Sequence, residues 1–229
     1  MVWLAIEISM LKTLLCGACL LACSVNLTPV LAQIALPDLT IDGGQLGRSV
    51  IFETRRFNRH DCAVQEGCVD GTGKRKLMRF DVATPNIGSA DMVLGDPALN
   101  PALFTYSPCH GHYHFNGYAS YELLASPSST SPILRGRKQA FCLEDVDRWD
   151  PTAGPGFYTC SYQGISAGWS DIYSRFLDCQ WLDITNVTPG NYWLRVTINP
   201  DHLLMESDYS NNSATVPVTI PASPAKGNH

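Results

Sequence analysis

The sequence predicts a mainly β protein, a β-sandwich-like domain with long disulfide-tied loops and little helix. Three stretches alternate apolar and polar residues with the period of two that a strand with one buried face requires. Amphipathic helical repeats are scarce, and six cysteines in the body of the chain are available for disulfides. Together these observations favour packed strands over a helical bundle.

The three alternating stretches are residues 78–82, 192–198 and 214–220. In the last of them, Pro217 lacks a backbone N–H and cannot donate to a sheet on that side, so we expect an edge strand. The Thr-Pro-Gly-Asn run at 188–191 predicts a turn that leads into the second stretch.

Two segments without periodicity, 61–75 and 146–170, are rich in Gly, Asp and Cys, with prolines in the second. They are predicted to be loops rather than strands or helices. Loops of this length in a compact domain are often functional, which makes both segments candidates for contributing to a site.

The N-terminus has the composition of an export signal, with apolar runs and a small residue, Ala32, where signal peptidase would cleave. We expect a signal peptide at 1–32, one catalytic domain at 33–220 and a flexible tail at 221–229. The location would then be secreted, periplasmic or extracellular. A lipid anchor at Cys23 and an uncleaved membrane anchor are less favoured, and no stable membrane insertion is expected after cleavage.

The formal net charge of the 229-residue chain is −5, and its composition is that of an ordinary globular protein. A mildly acidic chain argues against nucleic acid as the main partner, because phosphate binding needs clustered positive charge. An acidic surface weakly favours cationic ligands such as amines.

An even number of cysteines in an exported chain indicates disulfides. Six cysteines allow 15 pairings, and composition alone does not choose among them. The six are Cys62, Cys68, Cys109, Cys142, Cys160 and Cys179.

The most informative segment contains three alternating histidines, His110, His112 and His114. On a strand, residues two apart project from one face, so we expect the three imidazoles to line up and bind one metal ion. A solvated strand face or a structural zinc site are the alternatives. Imidazole suits copper and zinc alike, so the spacing does not choose between them.

Read on to Leu124, the histidine segment resembles the copper-binding segment of the lysyl oxidase family. Several further segments resemble that family in the same order, and the similarity extends over roughly residues 50–215. They are GRKQAFCLED (136–145), WSDIY (169–173), DCQWLDIT (178–185), PGNY (189–192) and ESDYSNN (206–212). Specific motifs in a shared order are a stronger signal than any one of them.

This resemblance implies a copper-dependent amine oxidase that uses molecular oxygen. Such an enzyme converts primary amines or lysine side chains to aldehydes and releases hydrogen peroxide and ammonia. The implied metal ligands are His110, His112 and His114. The implied quinone cofactor, lysine tyrosylquinone, would join Lys138 to Tyr173. Zinc would be an alternative occupant before activation, and the short chain suggests a bacterial member of the family.

The general base is predicted at Asp171, which lies two residues before Tyr173 and would share its strand face. An ordinary turn or capping role for Asp171 is an equal alternative. Glu144 and Asp145 are less favoured as the base, and they are expected to make loop hydrogen bonds or to support a ligand histidine.

The family resemblance also implies disulfide partners. Two cysteines that the family would place near Cys142 and Cys179 are absent here, because Val146–Trp149 and Trp169 occupy those places. We therefore expect Cys142–Cys179, with Cys62–Cys68 and Cys109–Cys160 as the family suggests.

The main competing hypothesis is a non-catalytic secreted β-sandwich binding or adhesion module with a structural metal at the histidines. A copper store and a zinc hydrolase rank lower, because soft ligands near the histidines are few and no HExxH motif accompanies them. The joint presence of Lys138 and Tyr173 in their motifs distinguishes the oxidase, since a binding module needs neither.

Overall fold

Antiparallel strands dominate the part of the chain that the structure describes, residues 34–136 and 141–222. This structure is a computed structural model. Residues 1–33, 137–140 and 223–229 lie outside the described residues, and with them the predicted signal peptide, Lys138 and most of the predicted tail.

The mainly β prediction is confirmed, and helix within the described residues is limited to short segments. The helices are α1 (Gly43–Ser49), α2 (Cys62–Gln65) and a 3-10 turn at Pro97–Leu99. The strands are β1 (Ile51–Phe57), β2 (Gly73–Arg79), β3 (Val82–Pro85), β4 (Met92–Gly95), β5 (Phe104–Ser107), β6 (His112–Phe115), β7 (Ala119–Leu124), β8 (Leu134–Arg135), β9 (Asp147–Arg148), β10 (Gln163–Ile165), β11 (Trp169–Tyr173), β12 (Trp181–Asp183), β13 (Gly190–Ile198) and β14 (Ser213–Ile220).

The largest sheet among the described residues has the order β14-β13-β7-β8. Leu194, Val196 and Ile198 of β13 are buried while the residues between them are partly exposed, as the alternating pattern predicts. Strand β14 is at the edge, and its Pro217 lies opposite Trp193 of β13. The predicted edge strand is therefore confirmed. Proline lacks a backbone N–H, which is tolerated where no further strand pairs on that side.

Three further sheets, β1-β2-β12, β3-β11-β9 and β10-β4, join the large sheet in one apolar core, and the β5-β6 hairpin packs beside them. Phe80 and Tyr121 meet edge to face with ring centroids 5.0 Å apart, linking the segment after β2 to β7. Gln180 accepts a hydrogen bond from the Tyr121 hydroxyl and donates one to the Phe80 carbonyl. This buried amide satisfies polar groups of β7 and of the segment between β2 and β3 at once.

Parts of the two segments predicted as loops are ordered elements. Segment 61–75 contains α2 and the start of β2, and segment 146–170 contains β9, β10 and the start of β11. Within these two segments, α2, β9 and β10 have only two to four residues and only the first residues of β2 and β11 are included, which is too little for hydrophobic periodicity to reveal them.

All six predicted cysteines form disulfides, but the three predicted pairings are wrong. The bonds are Cys62–Cys109, Cys68–Cys179 and Cys142–Cys160, in place of Cys62–Cys68, Cys109–Cys160 and Cys142–Cys179.

Chain geometry explains the correction. Cys62 begins α2, and the chain turns at Gly67 with a positive φ of 72°, so Cys62 and Cys68 are directed to different neighbours. Cys68 joins Cys179 and Trp181 in a small separate core. Gly164 donates its backbone N–H to the Leu143 carbonyl, which brings the segment of Cys160 alongside Cys142.

None of the helices in the described ranges is long and apolar enough to cross a membrane.

Candidate metal and tyrosine site

The β5-β6 hairpin positions the three histidines. His112 and His114 lie on β6, opposite Ser107 and Thr105 of β5, and project from one face. His110 differs from the prediction, because it belongs to the tight turn before β6 and not to the strand. Gly111 takes a positive φ of 71° there and donates its N–H to the Ser107 carbonyl, which closes the hairpin.

The turn nevertheless brings the three imidazole rings together. Ring centroids are 5.0 Å apart for His112 and His114, 5.5 Å for His110 and His114, and 5.9 Å for His110 and His112. His114 is buried and the other two are half-buried. Three clustered imidazoles are a donor set that suits copper or zinc and leaves further coordination positions for water or oxygen.

Glu66, which the sequence analysis did not single out, contacts this cluster. Its Oε2 lies 3.1 Å from Nε2 of His110, and its Oε1 accepts a hydrogen bond of 2.5 Å from the Ser107 hydroxyl. Glu66 is 44 residues away from His110 in sequence. The one sequence feature that could have pointed to Glu66 is its position between Cys62 and Cys68. That position is informative only when it is known that Cys62 bonds to Cys109, next to His110.

A second set of potential ligand atoms, on Glu66, Cys68 and Cys179, lies close enough together to surround a metal ion. The two cysteines are bonded to each other, however, and only a thiolate binds a metal well. This group is therefore not a metal site while the disulfide is intact.

Tyr173 lies at the end of β11 and is 2% exposed. Its hydroxyl donates to the Cys142 carbonyl at 3.0 Å and accepts the N–H of Phe141 at 3.3 Å. The Tyr173 ring packs against Tyr118 with centroids 4.4 Å apart. Burial raises the pKa of the Tyr173 phenol well above its ordinary value, and the neighbouring carboxylate of Asp171 raises it further.

Phe141 connects the two halves of the site. Its ring centroid is 5.4 Å from that of Tyr173, and it lies 5.7–6.3 Å from the centroids of the three histidines. One aromatic ring thus contacts both the imidazole cluster and the tyrosine. Nothing in the sequence pattern marked Phe141 for this role, because the contacts join separate segments of the chain.

Asp171 is on β11 and is buried like Tyr173, consistent with their spacing of two residues. It is 1% exposed, and its Oδ2 atom has no hydrogen-bond partner among the described residues. Burial raises the pKa of Asp171 well above its ordinary value, and the charge of Glu144 adds to the effect. Such a carboxylate has the basicity and the unsatisfied oxygen that a proton acceptor needs.

The other two candidate carboxylates are in the loop that follows Cys142. Asp145 accepts the backbone N–H groups of Phe157, Tyr158 and Ser166, a loop-organising role. Burial raises the pKa of Glu144, whose charge acts on Asp171. Asp145 therefore organises its own loop, and Glu144 acts on Asp171 through its charge.

Lys138 lies outside the described residues. The chain is described up to Gly136, whose N–H donates to the Tyr121 carbonyl, and again from Phe141.

A cavity of about 1020 Å³ opens beside His114. Its wall includes Glu66, Tyr106, His114, Tyr118, Arg135 and Asp201. Tyr118 is among the residues that line this cavity, and its ring also packs on that of Tyr173.

Comparison with known proteins shows which family this chain resembles. A family model described as lysyl oxidase matches residues 37–225. The chain is 35% identical over 195 residues to the protein-lysine 6-oxidases of Gallus gallus and Sus scrofa. The match covers 79% of this chain in both cases, with 44% of the Gallus gallus protein and 75% of the Sus scrofa protein.

The chain spans less than half the length of several of these relatives. Lysyl oxidase homolog 3B of Danio rerio is 33% identical over 195 residues, which cover 80% of this chain and 23% of that protein. Among solved structures, a CARDB domain of Pyrococcus furiosus in complex with di-metal ions is 12% identical, with a TM-score of 0.32. That alignment covers 81% of this chain and 90% of that one.

Proposed function

Because the chain belongs to the lysyl oxidase family, we propose that it is a secreted copper- and quinone-dependent amine oxidase. The proposed substrates are primary amines or the side chains of lysine residues. Amine, oxygen and water would give aldehyde, hydrogen peroxide and ammonia, so that two electrons pass from the amine carbon–nitrogen bond to oxygen. Three disulfides are consistent with an oxidising location outside the cytosol.

The proposed copper ligands are His110, His112 and His114. Their rings are clustered, and three imidazoles match the donor preference of copper, with zinc as an alternative occupant. When bound, copper would supply the oxidation of a phenol ring by molecular oxygen, and the resulting quinone would supply an electron sink for the amine.

The proposed quinone residues are Lys138 and Tyr173. The observation that carries this assignment is the position of Phe141, which touches the three histidines and also the Tyr173 ring. The Tyr173 hydroxyl is held by the backbone of Phe141 and Cys142, and Lys138 is only three residues earlier on this segment. The phenol and the imidazole cluster therefore lie on either side of one ring, that of Phe141, and the motif that contains Lys138 ends at this segment in the sequence.

Asp171 is the proposed base that removes a proton from the carbon next to the substrate nitrogen. Its carboxylate is buried near Tyr173, and Oδ2 is the oxygen without a partner in the described structure. A raised pKa makes the carboxylate a stronger base than an exposed aspartate, which suits abstraction of a weakly acidic proton.

Burial of the ring end would protect the reaction from water. Tyr173 packs against Tyr118 and Phe141, and the cavity beside His114 would be the place where an amine enters from solvent. An enclosed site strengthens the electrostatic interactions of Asp171 and limits side reactions of the cofactor.

The decisive experiment is a peptide map of the purified chain after copper loading in air. We expect one species that joins the Lys138 peptide to the Tyr173 peptide, with the mass of an oxidised ring. Peroxide release with a small primary amine should accompany it. Lys138→Arg is the matched variant: it keeps a cation at position 138 but should yield no cross-link and no peroxide.

The contrary result would be both peptides recovered free from protein that holds copper and has been exposed to oxygen. That outcome would reject the oxidase and leave the non-catalytic binding module with a structural metal. Peroxide release by the Lys138→Arg variant would reject the assigned lysine.

A further inference from the structure

Glu66 is held against His110 by a small hydrogen-bonded network. The two carboxylate oxygens have different partners, Oε1 with the Ser107 hydroxyl at 2.5 Å and Oε2 with Nε2 of His110 at 3.1 Å. The Ser107 hydroxyl also lies 3.2 Å from the backbone N–H of His110 and accepts from it. Carboxylate, hydroxyl and histidine therefore fix one another.

Two disulfides hold this network from both sides. Cys62–Cys109 joins the start of α2 to the residue just before His110. Cys68–Cys179 ties down the chain two residues after Glu66. The carboxylate lies on a segment anchored covalently at each end, and a hydrogen bond between two pre-positioned groups loses little conformational entropy when it forms.

From this geometry we propose that Glu66 is a positioning residue for the metal centre, which fixes the ring orientation and the tautomer of His110. This proposal rests on the metal centre of the proposed function. A histidine ligand commonly donates its second N–H to a carboxylate, which orients the ring and makes the metal-binding nitrogen more basic. With Nε2 of His110 engaged by Glu66, Nδ1 would be the nitrogen left to bind the metal.

The other two carboxylates considered near the site, Asp145 and Asp171, have partners or surroundings that differ from those of Glu66. Asp145 is occupied by backbone N–H groups of its own loop, and Asp171 is buried beside the tyrosines. Glu66 is the carboxylate for which the described contacts include a hydrogen bond to one of the three histidines.

The first test compares metal affinities of the full chain, measured by competition of Zn(II) and Cu(II) with a chelator. Glu66→Gln should bind either metal about 10–100-fold more weakly, the usual effect of removing an outer carboxylate. Gln65→Ala is the matched control, because Gln65 precedes Glu66 and bonds to the His60 carbonyl instead. Its affinity should equal that of the original protein.

Glu66→Asp provides a second variant of the same charge. A carboxylate shortened by one methylene should recover part of the affinity lost in Glu66→Gln. Melting temperature and a disulfide map of each metal-free variant establish that the fold and the three bonds are intact. A loss of affinity that merely follows a loss of stability in the metal-free protein would overturn the positioning role.

The second test identifies the coordinating nitrogen by nitrogen-15 NMR of the zinc-loaded chain. The His110 ring should show zinc at Nδ1 and a proton at Nε2 in the original protein. In Glu66→Gln this tautomer should no longer be fixed. Zinc at Nε2 of His110, or direct coordination of zinc by the Glu66 carboxylate, would overturn the proposal.

These outcomes separate this inference from the proposed function. A chain that binds metal and forms the Lys138–Tyr173 cross-link, but whose Glu66→Gln variant has unchanged affinity, contradicts only the inference. A chain that binds metal and depends on Glu66 but never forms the cross-link contradicts the oxidase and retains Glu66. A chain that binds no metal overturns both.

Discussion

The histidine end and the tyrosine end of the site are built in opposite ways. The three histidines belong to one short hairpin, His114 borders an open cavity, and His110 has a polar neighbour in Glu66. Tyr173 and Asp171 are enclosed in the main core, among aromatic side chains from distant parts of the chain. Phe141 is the side chain that touches both ends.

This contrast follows from what each end would have to do. A metal ion and a cationic amine must enter from water, so their binding side chains need polar support and access. A carboxylate that acts as a base is strengthened by burial, and an oxidised ring is protected by it. Two disulfides, Cys62–Cys109 and Cys68–Cys179, anchor the histidine end, while the tyrosine end combines close aromatic packing with the Cys142–Cys160 bond.

The largest expected effect is that of Tyr173→Phe, which tests whether the buried end is the reactive one. Phenylalanine fills the same space but has no phenol oxygen, so no quinone can form and amine oxidation should be abolished. Metal content should be unchanged, since the histidines are not altered. A quinone stain after redox cycling, together with metal analysis, measures both. Continued turnover in this variant would place the chemistry elsewhere.

Asp171→Asn comes next and sharpens the assignment within the buried end. Loss of a general base should lower kcat by about 10²–10⁴-fold, while the Lys138–Tyr173 cross-link still forms. Turnover of the original enzyme should rise with pH through the raised pKa of Asp171, because only the ionised carboxylate accepts a proton. The variant should lose that rise, and an unchanged pH profile would exclude Asp171 as the base.

The same residue predicts a trend in stability. The pKa of an aspartate in the unfolded chain is about 3.9. Because the folded protein raises the pKa of Asp171, it binds this proton more tightly than the unfolded chain does. The contribution of Asp171 to the free energy of unfolding should therefore fall as pH rises from about 4 to the raised pKa. Urea titrations across this range should show a smaller decline in Asp171→Asn, and an identical decline would contradict the cause given for the shift.

Removing the Cys68–Cys179 bond tests how the histidine end is anchored. The double variant Cys68→Ser/Cys179→Ser should lose about 2–5 kcal/mol of unfolding free energy, because the unfolded chain is no longer cross-linked. Metal affinity should also weaken, since Glu66 loses one of its two anchors. Denaturant titration and chelator competition measure the two effects. Lower stability with full affinity would show that the hairpin holds Glu66 without this bond.

The smallest effect is expected for Tyr118→Phe. This change removes the hydroxyl that hydrogen-bonds to Thr84 but keeps the ring that packs on Tyr173. Stability should fall by about 1–3 kcal/mol, because the buried Thr84 hydroxyl loses its partner, and cross-link yield should be unchanged. Tyr118→Leu, which lacks the aromatic ring, should reduce the yield. Equal yields in both variants would show that ring packing does not hold Tyr173 in place.

Much of the fold and part of the site could be predicted from local patterns. The alternation of β13 predicts its buried face, and Pro217 predicts the edge strand. The spacing of Asp171 and Tyr173 is consistent with their shared burial on β11. The motifs also indicated the family, which the comparisons confirm.

Local patterns failed where separate segments meet. The disulfide pairings were wrong because pairing depends on where chain turns such as that at Gly67 direct each cysteine. His110 was placed on a strand, yet the hairpin needs a turn at Gly111. Glu66 and Phe141 were missed, since neither residue has a spacing that indicates its partners.

The sequence by itself determined the β character, the histidine set and the family, because these depend on residues that are neighbours along the chain. Only the tertiary structure decided which cysteines bond, which carboxylate supports His110 and which ring lies beside both His114 and Tyr173. These choices depend on contacts between residues far apart in sequence. Packing of the whole core brings such residues together, and no local pattern records them.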